Sequence, residues 1–557
     1  MDLSARLPAE TLLGIFRTVQ DIFPIPSAID ISSSFGGHHT WVTQAERTLF
    51  LLAWISLTHV CARWRNSALR DAGLWTDVPV VLGVKWMREF LNRSGDMGIS
   101  IDWKAWRTQK LPGLVPFNVM ETLIFPHHYK RLRNFEAQLV ADGSLFPMLS
   151  GPWPALENLS VELTGDFPQY VLLGDDAPCL RHLSFHLASD TAGCKTFPWR
   201  APFLRTLVVL DIYFYEGITA ASMNEFLDAL DAMPNLVHLR LGNGISSTQD
   251  SGHSCPSCSP PALVTSTKLR TLAFRGSWSM IRHLMEHIRP LPSSRLSVVV
   301  QNEDDFTPAD LRSIYARLAA YSKRDPVLYH GFGAVEVKRN IATIRAFRSS
   351  DTLTSTSWMH RIPPGWHEGI VGTLPDLDIQ LPWRDSSAST LLSLMKDLTP
   401  TGLRLLSLGI PAADVSLVLH KNIVTTVLRD VHILQLTGIR SASHFLTVDA
   451  DAEVPTFFPA LRLVEIPDIT LWELLGLSDS RTVQPLADTL DARREAGFAL
   501  PAVYLRIKDA VRWLRETTSL RTPGTAEGIL QEVERLEAMS GVHLIGEEEE
   551  IMYDLAL

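Results

Sequence analysis

The sequence predicts an α/β fold in which a helical N-terminal module precedes a solenoid of repeated strands and helices, closed by a helical C-terminal cap. Three observations lead to this prediction. A short apolar signature recurs along the middle of the chain. Helical patterns separate several copies of this signature. Both ends of the chain show helical periodicity and lack the signature. We place the N-terminal module at residues 1–84, the repeats with an N-terminal capping segment at 85–470, and the cap with an acidic tail at 471–557.

The repeated signature is apolar-x-x-apolar-x-apolar. Its last two positions alternate, so they point to one side of a short strand. Apart from the gap between Leu296 and Leu374, neighbouring copies begin 24 to 33 residues apart, and most of these spacings lie in or near the period of about 20–29 residues that is typical of leucine-rich repeats. The copies are Leu156/Leu159/Val161, Leu180/Leu183/Phe185, Leu204/Leu207/Val209, Leu236/Leu239/Leu241, Leu269/Leu272/Phe274, Leu296/Val298/Val300, Leu374/Leu377/Ile379, Leu403/Leu406/Leu408, Val431/Leu434/Leu436 and Leu461/Val464/Ile466.

Helical stripes between these copies complete the predicted solenoid. One stripe runs from Met223 to Met233, and another from Leu311 to Leu318, where Thr307 and Pro308 provide a start signal. Alternating strands and helices predict an arc with strands on the concave side and helices on the convex side. The copies are irregular, so we describe the array as degenerate, and residues 301–373 contain no clear strand.

The N-terminal module contains two helical patterns separated by a polar stretch at residues 23–43. Proline suits an early helical position, so Leu7-Pro8-Ala9-Glu10 indicates the start of the first helix. An apolar stripe follows at helical spacing. It consists of Leu12, Ile15, Phe16 and Val19. The second pattern covers residues 45–69 and is followed by Gly73-Leu74-Trp75.

Several spaced elements in this module, taken in order, resemble the F-box. They are Leu7-Pro8-x-Glu10, Ile15-Phe16, Leu57-x-x-Val60-Cys61-x-x-Trp64-Arg65-x-x-Ala68 and Leu74-Trp75. Later phrases resemble those of fungal, basidiomycete-type F-box proteins with degenerate leucine-rich repeats. They are Trp86-x-x-x-Phe90-Leu91-x-Arg93-Ser94 and Phe458-Pro459-Ala460-Leu461.

The resemblance implies a function. An F-box docks onto the Skp-type adaptor of a cullin–RING ubiquitin ligase, and the rest of the chain recruits a protein substrate. The positions that the resemblance places at or just beneath the adaptor are Leu7, Pro8, Leu12, Ile15, Phe16, Val60, Cys61, Trp64, Leu74 and Trp75. Direct contact is favoured for Pro8, Ile15 and Phe16. For Trp64 and Trp75 a place in the core is at least as compatible with the pattern.

The predicted concave face offers a candidate substrate surface. The residues that lie between the inward apolar positions are Ser184, His186, His238, Arg240 and Arg275 in the earlier copies, and Asp376 and Asp378 later. We hypothesise a groove that is basic in its first half and acidic later, and that binds a protein segment of mixed charge. The alternative is a solvated face without a partner.

No motif in the sequence predicts catalysis, a metal or a cofactor. Phosphate-binding loops, a nucleophile elbow and an H-E-x-x-H helix are all missing. Cys255 and Cys258 form only half of a zinc site, so two free thiols in a loop are the simpler interpretation. We therefore predict a non-enzymatic substrate receptor. The alternatives are a non-ligase scaffold that binds proteins, and an enzyme of an unrecognised type.

Charge, hydropathy and cysteine content indicate which classes of partner the protein can bind and in which cellular compartment it acts. A net charge of −10 provides no basic footprint for nucleic acid or an anionic membrane. The N-terminus lacks a secretory pattern, and the apolar run from Thr48 to Val60 is too short to span a bilayer. Five cysteines argue against a disulfide framework. These features predict a protein of the cytoplasm or nucleus.

Overall fold

The structure is a computed structural model that divides into two compact units. The first unit comprises Met1–Leu269 and His283–Arg289, and the second comprises Arg270–Arg282 and Pro290–Leu557. The residues that the structure describes are 7–22, 53–103, 124–140, 149–164, 172–187, 197–214, 219–246, 268–288, 295–300, 332–338, 341–347, 353–354, 377–382, 403–409, 431–436, 446, 460–466, 486–497, 501–505, 507, 511–512, 523–545 and 552–553.

Helices and strands alternate irregularly along these residues. The α-helices are α1 Ala9–Ile22, α2 Ala62–Arg70, α3 Val84–Arg93, α4 Phe125–His128, α5 Met223–Asp231, α6 Trp278–His287, α7 Leu486–Glu495 and α8 Pro523–Ala538. The strands of the first unit are β1 Asp77–Val78, β2 Ile99–Asp102, β3 Leu132–Val140, β4 Asn158–Thr164, β5 His182–Leu187, β6 Val209–Phe214, β7 Thr219–Ser222, β8 His238–Gly242 and β9 Gly244–Ser246.

The remaining strands belong to the second unit. They are β10 Thr271–Gly276, β11 Arg295–Val300, β12 Phe332–Lys338, β13 Ile341–Phe347, β14 Leu353–Thr354, β15 Leu377–Pro382, β16 Leu403–Gly409, β17 Ile433–Leu436, β18 Leu463–Ile466, β19 Ala502–Leu505, β20 Val542–Leu544 and β21 Met552–Tyr553.

The first unit combines a helical N-terminal part with a parallel sheet. In the sheet, β1, β2, β3, β4, β5, β6 and β8 pair with their neighbours in that order, and every pairing is parallel. Burial alternates along the strands. Leu183 and Phe185 are buried, for example, whereas Ser184 and His186 are half-buried. One face of this sheet is therefore the apolar core, and the other face is polar.

The second unit has a mixed sheet. Strands β10, β11 and β15 are parallel, whereas β13 pairs antiparallel with both β15 and β12. Parallel pairing resumes from β12 to β16 and continues through β17, β18, β19 and β20. Strands β17 and β18 are almost entirely buried, so the alternation that marks the first unit is lost there.

The predicted solenoid is wrong. The described residues form a mixed α/β fold, in which the sheet of the first unit is all-parallel and antiparallel strands interrupt the parallel run of the second unit. The segments described before β5 and β6 are 3₁₀ turns, Leu172–Asp175 and Pro202–Thr206, and not the helices of the predicted convex side. The C-terminal part is not an all-helical cap, because β19 and β20 join the sheet. The predicted boundaries after residues 84 and 470 stay predictions.

One apolar signature was also placed out of register. The sequence pattern aligned Leu207 with Leu183, but in the structure Leu183 pairs with Leu210 and Phe185 with Ile212. The inward residues of β6 are therefore Leu210 and Ile212, and both are fully buried. The strand begins after an extra 3₁₀ turn, which the spacing of apolar residues did not reveal.

An arginine closes the C-terminal end of helix α3. The Arg131 guanidinium donates to Ser94 Oγ at 2.9 Å, to the Met97 carbonyl at 3.0 Å and to the Leu91 carbonyl at 3.0 Å. Its Nε donates to His128 Nδ1 at 3.3 Å. Burial lowers the pKa of His128, and the charges of Arg131 and His127 lower it further, so the ring stays a neutral acceptor. The interaction satisfies carbonyls that a helix end leaves without partners.

We expect Arg131→Ala to lower the free energy of unfolding of the first unit by about 2–3 kcal/mol, because several charge-assisted hydrogen bonds, two of them part-buried, are lost together. Arg131→Lys should restore only part of this, because an ammonium group lacks the planar fork that spans the acceptors. Denaturant unfolding followed by tryptophan fluorescence measures both variants, with the exposed neighbour Lys130→Ala as control. A lysine variant as stable as the original chain would contradict this role.

Within the residues described, no helix is both long enough and apolar enough to cross a membrane.

Candidate functional site

A closed aromatic core organises the helical N-terminal part. Phe16 of α1, Trp54, Trp75 and Phe90 of α3 are each at most 1% exposed. Their rings meet edge to face, with centroids 6.5 Å apart for Phe16–Trp54, 5.2 Å for Trp54–Trp75 and 4.9 Å for Trp75–Phe90. Trp75 Nε1 donates to the Ala68 carbonyl at 2.9 Å. This core joins α1, α2 and α3 into one module.

The predicted adaptor-binding residues divide according to their burial in this module. Leu12, Phe16, Leu74 and Trp75 are buried; Leu7, Ile15, Cys61 and Trp64 are half-buried; Pro8 and Val60 are exposed. The full burial of Phe16 corrects the expectation that it contacts a partner directly, because its ring packs on Trp54 and on Trp64. It can contribute to binding only by supporting α1.

The exposed members lie at one end of the module. The Arg63 guanidinium on α2 donates to the Leu7 carbonyl, so the start of α1 lies beside the start of α2. Pro8 directly precedes α1, and Val60, which is 60% exposed, lies just before α2. Near the other end of α1, Arg17 bonds Asp71 at 2.9 Å. We call Leu7, Pro8, Val60 and Cys61 the N-terminal edge.

A second candidate site is the polar face of the parallel sheet in the first unit. One row of residues crosses six strands in register, and two further rows flank it. The central row is Asp102, Glu136, Ser160, Ser184, Asp211 and Arg240; the flanking rows include Ser100, Asn134, Asn158, His182 and His238 on one side, and Glu162, His186 and Tyr213 on the other. We call these residues the polar sheet face.

The most buried charge on the polar sheet face is Asp211. Its side chain is 8% exposed, and its Oδ2 accepts a hydrogen bond from Arg240 Nη1 at 3.0 Å. His186 Nε2 lies 3.5 Å from Asp211 Oδ1, but neither of these two buried atoms makes a hydrogen bond. Burial lowers the pKa of Arg240, and the Asp211 carboxylate opposes this effect by favouring the charged guanidinium. Asp211 and Arg240 therefore form a largely buried ion pair, in which Asp211 Oδ1 accepts no hydrogen bond.

Tyr213 holds the neighbouring part of this face in place. Its ring lies 6.0 Å from that of His186, edge to face. On the next strand the residue paired with Tyr213 is Gly242, and a Cβ at this position would overlap the Tyr213 ring. Gly242 therefore allows the ring to lie directly against the backbone.

A ladder of amides crosses the opposite margin of the face. Asn134 Nδ2 donates to Ser100 Oγ at 2.8 Å, and Asn158 Nδ2 donates to Asn134 Oδ1. The ladder ends on Asn158 Oδ1, which is buried and accepts no hydrogen bond. Like Asp211 Oδ1, this atom is an acceptor without a donor.

The predicted substrate-binding residues are only partly brought together. Ser184, His186, His238 and Arg240 lie on the polar sheet face. Arg275 lies exposed on β10 of the second unit, Asp378 lies on β15 of that unit, and Asp376 lies outside the described residues.

Sequence reasoning missed the carboxylates of this face. Asp211 was overlooked because the signature before it was out of register, and Glu136 because the signature of β3 was not recognised. Glu162 could have been found from the first position beyond the signature, directly after Val161, because His186 lies at the same position on β5. Among the described residues, the part of the face predicted to be basic therefore carries the carboxylates of Asp102, Glu136, Glu162 and Asp211 as well as the Arg240 guanidinium.

Two further predicted features concern cysteines and metals. Of the cysteines in the described part of the chain, Cys61 is half-buried and Cys179 is exposed, and both are free. Cys255 and Cys258 lie outside that part. Over the same ranges, no group of three His, Cys, Asp or Glu side chains could hold a metal ion.

No family model matches this chain, and no curated protein matches it. The resemblance to the F-box therefore stays a prediction that rests on the motif residues themselves.

Proposed function

We propose that this protein is a substrate receptor of a Skp–cullin–F-box type ubiquitin ligase. The N-terminal edge binds the Skp-type adaptor, and the polar sheet face binds a protein substrate. The chain itself catalyses no reaction in this proposal, because ubiquitin transfer belongs to the partner subunits. It would act in the cytoplasm or the nucleus, where such ligases assemble.

The observation that carries the proposal is the combination of the F-box motif with an exposed apolar edge. The aromatic core is complete without a partner, so it does not need the adaptor for burial. Val60 and Pro8, in contrast, leave apolar surface exposed beside two helix starts. Apolar side chains of this kind supply much of the affinity at protein interfaces.

The polar sheet face supports the second half of the proposal. Its residues range from exposed, as Asp102 is, to buried, as Asp211 is, and they come from six paired strands of one sheet, so their spacing is fixed. A surface of this kind presents several polar groups to one ligand without the entropic penalty of ordering a loop.

We expect Pro8→Ala combined with Val60→Glu to weaken binding of the Skp-type adaptor by at least about tenfold, because an apolar contact is removed and a charge would be buried at the interface. Co-expression with the adaptor followed by quantitative pull-down measures this. Met97→Glu is a matched control, because Met97 is also exposed, at 50%, but lies outside the edge. Equal adaptor binding by the double variant would contradict the proposal.

A reconstituted ubiquitination reaction separates a receptor from a scaffold. A receptor is expected to promote modification of a co-purified protein, and the double variant should not. Adaptor binding without any modified protein would instead favour the non-ligase scaffold.

A further inference from the structure

Three cationic residues lie on turns that lead into strands. Arg181 directly precedes β5, Arg205 belongs to the 3₁₀ turn Pro202–Thr206 before β6, and Lys268 comes shortly before β10. All three residues are exposed. Strands β5, β6 and β8 are parallel neighbours, so the turns that lead into them lie along the same edge of the sheet.

Hydrogen bonds connect these turns one to the next. The Arg181 guanidinium donates to the Thr206 carbonyl at 3.2 Å. Asn235, on the turn before β8, donates through Nδ2 to the Arg205 carbonyl at 3.4 Å, and its Oδ1 accepts a hydrogen bond from Lys268 Nζ at 3.0 Å. Arg181, Arg205 and Lys268 therefore follow one another along adjacent turns, and we call them the cationic strip.

The charges of the cationic strip are not compensated by carboxylates of the described residues. Arg181 donates to a carbonyl oxygen and Lys268 to an amide oxygen, both uncharged, and the Arg205 side chain forms neither a hydrogen bond nor an ion pair within the same ranges. Glu157, whose carbonyl accepts from the Arg181 backbone N–H, has its carboxylate 3.7 Å from Arg133, which is its ion-pair partner. The strip therefore presents three positive charges to solvent.

The chemistry and length of the strip indicate the kind of partner. Guanidinium and ammonium groups carry only hydrogen-bond donors, so they favour a ligand that brings acceptors, and arginine binds a carboxylate through two parallel bonds. Two strand spacings of about 4.8 Å separate β5 from β8, and an extended segment of about three or four residues covers that length. The net charge of −10 opposes a long polyanion such as nucleic acid more than a short acidic segment.

We propose that the cationic strip binds a short acidic segment of a partner protein, whose aspartate and glutamate carboxylates pair with Arg181, Arg205 and Lys268. This inference goes beyond the proposed function, because it requires neither adaptor binding by the N-terminal edge nor substrate binding by the polar sheet face.

The test uses the full chain and two labelled peptides of equal length, one alternating glutamate with serine and the other lysine with serine. Fluorescence anisotropy should show binding of the glutamate peptide that weakens as salt is added, because exposed charges are screened, and much weaker binding of the lysine peptide. Arg205→Gln combined with Lys268→Gln should weaken binding of the glutamate peptide by about tenfold, because two charge contacts with the peptide are lost.

The control removes one lysine and one arginine charge elsewhere in the first unit. Lys85→Gln with Arg88→Gln changes two exposed positions of α3, so it reports the effect of net charge alone, and it should bind the glutamate peptide as the original chain does. No binding of the glutamate peptide by the original chain, equal loss in the two double variants, no loss in either, or preference for the lysine peptide would each overturn the inference.

A single-stranded oligonucleotide with the same charge as the glutamate peptide is the third ligand. If it binds the original chain more tightly than the peptide does, the strip is a nucleic-acid site and the inference is wrong. Pull-down of the Skp-type adaptor should be the same for both double variants and the original chain, so failure here is distinct from failure of the proposed function.

Discussion

Replacing Trp75 with alanine is expected to lower the free energy of unfolding of the helical N-terminal module by about 3–5 kcal/mol, the range for removing a large aromatic side chain from a core. The indole contacts Trp54 and Phe90, and the Arg93 guanidinium lies 4.1 Å above its ring. Its Nε1 also satisfies the Ala68 carbonyl near the end of α2. Chemical denaturation followed by near-ultraviolet circular dichroism measures the loss.

The control for this experiment is Trp86→Ala. Trp86 also packs on Phe90, with ring centroids 6.4 Å apart, but it is only half-buried. We expect a clearly smaller loss, because less apolar area is removed from the core. If both variants lose the same stability, Trp75 is not a central residue of this core.

The Trp75 variant also distinguishes residues that stabilise the module from residues that contact the adaptor. Adaptor binding should fall together with stability, and it should recover at low temperature where the module is refolded. In the Pro8 and Val60 variant, binding should fall while stability is unchanged. This contrast distinguishes residues that form the core from residues that touch a partner.

The sequence predicted local features well. Helical periodicity and a start signal at Pro8 predicted α1, and the apolar signature predicted strands such as β4 and β5, where Leu159 and Leu183 are buried as expected. These features depend on short-range spacing, which the order of apolar residues records directly.

Features that depend on the connections between strands were not predictable in the same way. The signature does not record the length or conformation of the connection before a strand, so β6 was placed out of register. Neither does it record the antiparallel pairing of β12 with β13. For this reason the sequence predicted only some residues of the polar sheet face. Residues in correctly placed strands, such as His186, were found, whereas Asp211 was not.

Removing the carboxylate of Asp211 is expected to be the most damaging change on the polar sheet face. Asp211→Ala leaves the Arg240 guanidinium, whose side chain is only 22% exposed, without its carboxylate. Removing one partner of a fully buried ion pair destabilises a protein by about 3–5 kcal/mol. Because Arg240 keeps some contact with water, we expect a smaller loss of about 2–3 kcal/mol.

A second variant shows whether this loss comes from the uncompensated charge. In Asp211→Ala combined with Arg240→Met no unpaired charge stays buried, so we expect it to be more stable than Asp211→Ala alone. Asp102→Ala, an exposed carboxylate in the same row, should change stability little. Urea unfolding of the original chain, Asp211→Ala, Arg240→Met and the double variant gives the coupling between Asp211 and Arg240. A double variant no more stable than Asp211→Ala would mean that the carboxylate stabilises the strand through packing and not through its ion pair.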